Sequence, residues 1–165
     1  MNVKIFYYSF TGNTQRVAQE LKEFLSQKGH RVVLEKIVSL DEPSSFFKQG
    51  MRAFLKKTGQ IAPLDFGNLQ DFDCLGLGFP VWALSFPPGV RGFLKEIPPL
   101  AGRKFFVFAT FGSGLGQTKA LDEAEDSLKS KGAQVVGKIS IPSSKIEGKE
   151  WLASQFEELY KIIAV

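Results

Sequence analysis

A chain of 165 residues with a net charge of +4, 44% hydrophobic and 23% charged residues has the length for one domain with a full core, and its composition excludes wholesale disorder. No apolar run approaches the roughly 20 residues that span a bilayer, and Met1 to Tyr8 lead straight into a strand pattern without the regions of a secretory signal. Cys74 is the only cysteine, which excludes an internal disulfide and leads us to expect a reducing, cytoplasmic setting.

Val3 to Tyr8 form a short apolar run, the first predicted strand. From Thr14 to Gln27, Val17, Ala18, Leu21, Phe24 and Leu25 share one helical stripe, and Gly29 ends that helix. His30 lies in the Lys28 to Arg31 turn and reads as a solvent-exposed turn residue. Arg31 to Val38 is β-branched and predicts the second strand. The next helix, Phe46 to Lys57, carries Phe47, Met51, Phe54 and Leu55 on one face and Lys48, Arg52 and Lys56 on the other. No Asp or Glu falls between Pro43 and Leu64. That basic face is either an ordinary solvated helix face or a docking surface for an anionic partner protein or nucleotide. No nucleic-acid-binding motif accompanies it.

Thr58 to Asp73 is the least regular stretch and is expected to cross the surface. Cys74 to Phe79 predicts a third strand that Pro80 ends, with Cys74 as a small core residue. Pro87 to Glu96 suits a helix, because proline is tolerated in a first turn. Lys104 to Thr110 reads as an aromatic, buried strand. Leu121, Ala124 and Leu128 stripe a further helix that Gly132 stops, and Gln134 to Ile141 supplies the fifth strand. Leu152, Phe156, Leu159 and Ile163 stripe the final helix, with Trp151 as a packing anchor. Most of the sixteen phenylalanines are expected to fill the core.

Strict alternation of strands and helices predicts one α/β domain over residues 1–165, with a parallel sheet covered on both faces and right-handed crossovers. Ligands of such sheets sit at the carboxyl ends of the strands, where strand order reverses. Three segments at those ends have unusual composition. Ser9-Phe10-Thr11-Gly12-Asn13-Thr14 places three hydroxyls, an amide and a glycine where a helix begins. Backbone N–H groups there are unsatisfied and attract phosphate, and hydroxyls can donate to its oxygens. An ordinary N-cap needs only one such residue. The loop has no lysine, unlike the nucleotide-triphosphatase loop, and lacks the glycine pattern of dinucleotide folds, so a monophosphate held by neutral donors suits it best.

This loop closely resembles the phosphate loop of the flavodoxin family, and Gly78-Phe79-Pro80-Val81-Trp82-Ala83 resembles the family segment after the third strand. The resemblance covers essentially the whole chain. It implies a three-layer αβα fold with strand order 2-1-3-4-5 and FMN as cofactor. By the same resemblance Ser9, Phe10, Thr11, Gly12, Asn13 and Thr14 hold the phosphate, and Pro80, Val81, Trp82 and Ala83 border the flavin ring. Trp82 occupies the stacking position; its alternative is an ordinary place in the core. Stacking on a flat heteroaromatic ring is worth about 1–3 kcal/mol by analogy with nucleic-acid bases.

The third loop, weaker in its likeness, runs Thr110-Phe111-Gly112-Ser113-Gly114-Leu115-Gly116-Gln117-Thr118. Its glycines permit close backbone approach, or simply a flexible connection. The family's corresponding loop lies along the ring's other side, which assigns Thr110, Phe111, Gly112, Ser113, Gly114 and Gly116 to the cofactor. Short electron-carrier flavodoxins carry acids here, whereas this loop has none before Asp122. A neutral or positive site is expected to favour the reduced flavin anion and to raise the second reduction potential.

The resemblance points first to an electron carrier serving a redox partner protein. A second reading is an NAD(P)H-dependent flavin or quinone reductase, with the basic helix from Phe46 to Lys57 receiving nucleotide phosphates; for a carrier, the Lys48, Arg52 and Lys56 face is the expected docking surface for the redox partner. A phosphoacceptor receiver module is disfavoured, since Ser9 and Pro80 stand where it requires acids. One histidine without a carboxylate or cysteine cluster gives no expected metal site, and no side-chain pair suggests acid–base catalysis.

Overall fold

Strand β1 (Asn2–Tyr7) pairs on one side with β2 (Arg31–Lys36) and on the other with β3 (Cys74–Pro80), all parallel. Strands β4 (Lys104–Phe111) and β5 (Gln134–Pro142) extend the sheet beyond β3, giving the order β2-β1-β3-β4-β5. This is the expected α/β arrangement, and the order reverses between β1 and β3. The computed structural model describes residues 1–164 apart from Pro43 and Ser113, and for Phe46 the backbone alone. Among the described residues, no helix is long and apolar enough to cross a membrane.

The period of two along each strand separates the core into two layers. Val3, Ile5, Tyr7, Phe106 and Phe108 point to one face of the sheet, where α1 (Asn13–Gln27) and α5 (Lys149–Ile163) bury Val17, Leu21, Leu25, Leu152, Phe156 and Leu159 against them. Phe6, Tyr8, Leu75, Leu77, Phe105 and Val107 point to the other, covered by α3 (Pro88–Glu96) and α4 (Gln117–Ser130) through Val90, Phe93, Leu121 and Leu128. Two strand glycines accommodate the phenylalanine load. A Cβ at Gly76 would lie 2.4 Å from the Phe106 ring and one at Gly78 would lie 2.0 Å from the Phe108 ring, so each glycine makes room for the aromatic beside it in register.

The irregular stretch before β3 packs rather than merely crossing the surface. Ile61 bridges Ser39 antiparallel, Leu69 is buried in a 3-10 turn, and Phe66 meets Phe6 and Phe93. Lys4 is buried in β1, with Nζ on the Asp65 carbonyl and on Glu35, both at 2.6 Å. His30 corrects its sequence reading: it is half-buried between the Met1 amine and the Tyr160 hydroxyl, at 3.0 and 3.1 Å. Burial, then the positive charges of the amino terminus and Lys28, lower its pKa. Burial pushes the Cys74 thiol up to about 12, which keeps it an inert core residue.

Helix α2 (Phe46–Phe54) ends sooner than expected, because Leu55 caps it and Lys56 turns left-handed at φ +53°. Its orientation also differs from a solvated basic face. Gln49 and Ala53 are buried, whereas Phe47 and Phe54 are 77% and 64% exposed. Arg52 is bound to Asp41 at 2.5 Å and Lys56 to Glu123 at 3.1 Å, so of Lys48, Arg52 and Lys56 two are occupied inside the molecule. Gln49, Ala53 and Arg52 fit the inward side because two are compact or uncharged and the third meets a carboxylate.

Candidate functional site

At the carboxyl edge of the sheet, the β1–α1 loop, the β3–α3 loop and the end of β4 surround a cavity of about 370 Å³. That lies within the range of about 300–1,000 Å³ usual for ligand pockets. Phe10, Thr11, Asn13 and Thr14 come from the first loop, Pro80, Val81, Trp82 and Ala83 from the second, and Thr110, Phe111 and Gly112 from the third. None of the described residues that line it is charged.

The first loop turns into α1 through Gly12, whose φ of +93° is left-handed and whose would-be Cβ meets nothing within 4 Å. No side chain caps the start of α1, and its first turn holds no acid. The Ser9 hydroxyl oxygen is buried without a hydrogen-bond partner among the described residues. Buried polar groups are almost always satisfied in a folded protein, so this hydroxyl calls for a partner that the described residues do not supply. Thr14 is buried and shares a 2.8 Å hydrogen bond with the Thr110 hydroxyl, joining the first loop to the third. If Thr110 donates, the Thr14 proton remains for another acceptor.

The second loop makes a tight turn. Trp82 and Ser85 exchange backbone hydrogen bonds of 2.8 and 2.9 Å across Ala83 and Leu84. Both central residues are left-handed, at φ +46° and +64°, a conformation that glycine or asparagine would adopt more easily. The third loop closes against this turn: a Cβ on Gly116 would lie 2.6 Å from the Leu84 Cα. Beneath the turn, Ser85 donates to Glu123 at 2.8 Å and Arg91 donates to the same carboxylate at 2.9 Å. Burial opposes ionisation of Glu123, but hydrogen bonds from Ser85, Arg91 and Lys56 outweigh it, and its pKa is lowered.

Trp82 forms part of the cavity wall, with 9% of its surface exposed, so it serves the core as well. Tyr8 and Phe10 each meet its ring edge-to-face at 5.7 Å. Phe111 also lines the cavity and is half-buried.

Of the residues singled out from sequence, Ser9, Gly12, Gly114 and Gly116 stand outside the cavity lining, and Ser113 lies outside the described residues. Gly12 and Gly116 instead begin α1 and α4, both with positive φ. Two lining residues were missed. Ser143 follows β5 and accepts a 3.3 Å hydrogen bond from the Asn13 amide. The end of β5 shares the same sheet edge, so the loop after it was a findable candidate. Gly50 comes from α2, and no local signal in a nine-residue helix marks it.

Solved structures share this frame. A flavoprotein from Lactobacillus acidophilus NCFM, in complex with FMN, superposes with a TM-score of 0.68 at 16% identity, covering 90% of this chain and 98% of that one. Oxidised flavodoxin 2 from Bacillus cereus gives 0.63 at 24% identity, covering 96% and 99%. Rubredoxin oxygen:oxidoreductase from Desulfovibrio gigas gives 0.61 at 20% identity, covering 99% of this chain and 37% of that one. No curated protein matches the chain. The flavodoxin family model matches residues 5–161, nearly the whole length. The chain therefore belongs to the flavodoxin family.

Proposed function

We propose that the cavity binds FMN and that the protein carries electrons to and from a redox partner protein in the cytoplasm. The observation that carries the cofactor reading is the uncharged cavity that Thr11, Asn13 and Thr14 line at the start of α1, with the buried, unpartnered Ser9 hydroxyl in the same loop. Such a donor set, neutral hydroxyls with helix N–H groups, suits a single phosphate. Ser9, Thr11, Gly12, Asn13 and Thr14 hold it, and Phe10 packs beside it. Pro80, Val81, Trp82 and Ala83 border one side of the ring, and Thr110, Phe111, Gly112, Gly114 and Gly116 belong to the loop assigned to the other. The flavin supplies the redox chemistry when bound, and the chain supplies binding, orientation and tuning of potential.

The uncharged lining sets no carboxylate against an anionic reduced ring, so the second reduction potential of the bound cofactor is raised relative to an acid-lined site. Potentiometry checks this; a very negative second step contradicts it. The reductase alternative gives the basic helix from Phe46 to Lys57 to nucleotide phosphates, yet two of its cations, Arg52 and Lys56, already serve Asp41 and Glu123. The carrier reading therefore stands first. The FMN-loaded protein is expected to show no steady NADPH oxidation with a quinone as acceptor. Sustained turnover without a second protein would establish the reductase instead.

A further inference from the structure

The electron-carrier reading leaves one surface without a role. On α2, Phe47, Met51 and Phe54 lie open to solvent, and with Gly50 and Ala83 they enclose a shallow groove of about 340 Å³. Gly50 and Ala83 also line the cofactor cavity, so the groove is continuous with its mouth. Leu84, in the turn beside Ala83, is exposed as well, as is Leu115 in the loop that closes on it. Contiguous exposed apolar surface of this kind marks an interaction site, and aromatic residues and methionine are enriched in interface cores.

The surrounding charges indicate what binds there. The nearby acids are engaged: Asp41 with Arg52, Glu123 with Arg91 and Lys56, and Asp122 with Lys138. Glu42 is the exception: it forms no ion pair among the described residues, and burial raises its carboxyl pKa more than the charge of Arg52 lowers it. Lys48, in the first turn of the helix, and Lys57, three residues past its end, are exposed and form no ion pair among the described residues. Lys48 on α2 and Lys57 just beyond it thus leave unpaired positive charge on the segment that carries the groove. A second copy of this chain would bring the same lysines face to face, a repulsive arrangement. A lipid surface is flat, whereas this groove is concave and takes a protruding side chain.

We propose that this surface docks an acidic partner protein, which seats an apolar side chain in the α2 groove and pairs its carboxylates with Lys48 and Lys57. The inference rests on the carrier reading, because docking here sets the partner at the cavity proposed to hold the cofactor.

The test measures binding of the FMN-loaded protein to oxidised plant-type ferredoxin, a small acidic electron-transfer protein, by isothermal titration calorimetry over a range of salt concentrations. Flavin content is determined for every variant. The wild type is expected to bind, with affinity falling as salt rises. Phe47→Gln with Phe54→Gln is expected to weaken binding about tenfold or more at unchanged flavin content. Lys48→Glu with Lys57→Glu is expected to weaken it and flatten the salt dependence. Lys22→Glu, on α1 across the sheet, should leave it unchanged. Absence of binding, or full affinity in the Phe variant, overturns the proposal. So does a dimer on sedimentation, or capture by phosphatidylglycerol vesicles, that the Phe changes abolish. A protein that takes up no flavin at all fails the cofactor reading instead, which keeps the two failures distinguishable.

Discussion

Helices α1 and α2 carry the same signature in sequence, an apolar stripe at helical spacing opposite a polar face, yet the protein uses them in opposite ways. In α1 the stripe of Val17, Ala18, Leu21 and Leu25 is fully buried against the sheet. In α2 the matching stripe of Phe47, Met51, Phe54 and Leu55 faces water, while Gln49 and Ala53 turn inward. Periodicity establishes that a helix has two faces; it does not say which one the rest of the molecule covers. That is decided by what lies beneath: α1 rests on a sheet face with room for large side chains, whereas α2 lies at the cavity mouth, fixed by Arg52 to Asp41 and by Lys56 to Glu123.

Substitutions at equivalent places in the two stripes separate these roles most sharply. Leu21→Ala in α1 is expected to cost about 2–5 kcal/mol of stability, as for other large core truncations. Phe54→Ala in α2 should cost no more than about 0.5 kcal/mol, because the ring is already in solvent. Urea unfolding of the two variants checks both, and equal losses would show that α2 is packed.

At the start of α1, Ser9→Ala is expected to weaken FMN binding by about 1.5–3 kcal/mol, the usual worth of a hydrogen bond to a charged group. Riboflavin, which lacks the phosphate, should bind the variant and the wild type alike. Fluorescence titration of the apoprotein reads both.

A smaller effect concerns the ties beneath α2. The Glu123 carboxyl is held below its ordinary value of 4.5, so it stays ionised in the folded protein where the unfolded chain has begun to take up a proton. The stability it contributes is present above about pH 4.5 and is lost as pH falls through the lower, folded value. Glu123→Gln is therefore expected to flatten the acid limb of the stability curve below about pH 4.5, with little change in slope above it. An unchanged acid limb, measured by thermal unfolding across that range, would show that the Ser85, Arg91 and Lys56 contacts carry no weight.

The same contrast explains what was legible before the fold was known. Strand runs such as Val3 to Tyr8 and Lys104 to Thr110 announce themselves by composition, since a strand buried on both faces admits little else. The first loop was readable because its hydroxyls, amide and glycine crowd into six residues at a helix start. What escaped was non-local. Gly50 and Ser143 reach the cavity only through the packing of α2 and the end of β5, His30 was drawn inward by Tyr160, and Lys4 found its carboxylate on the neighbouring strand. Each depends on a partner distant in sequence, which no local pattern encodes.

The central claim is that residues 9–14 form a neutral phosphate cradle serving an aromatic-walled cavity. Titrating the apoprotein with FMN and, separately, with riboflavin tests it most directly. FMN is expected to bind about a hundredfold more tightly, from roughly two charge-assisted hydrogen bonds, and that advantage should shrink in the Ser9→Ala and Thr11→Ala variants. Equal affinity for the two flavins in the wild type would contradict the account.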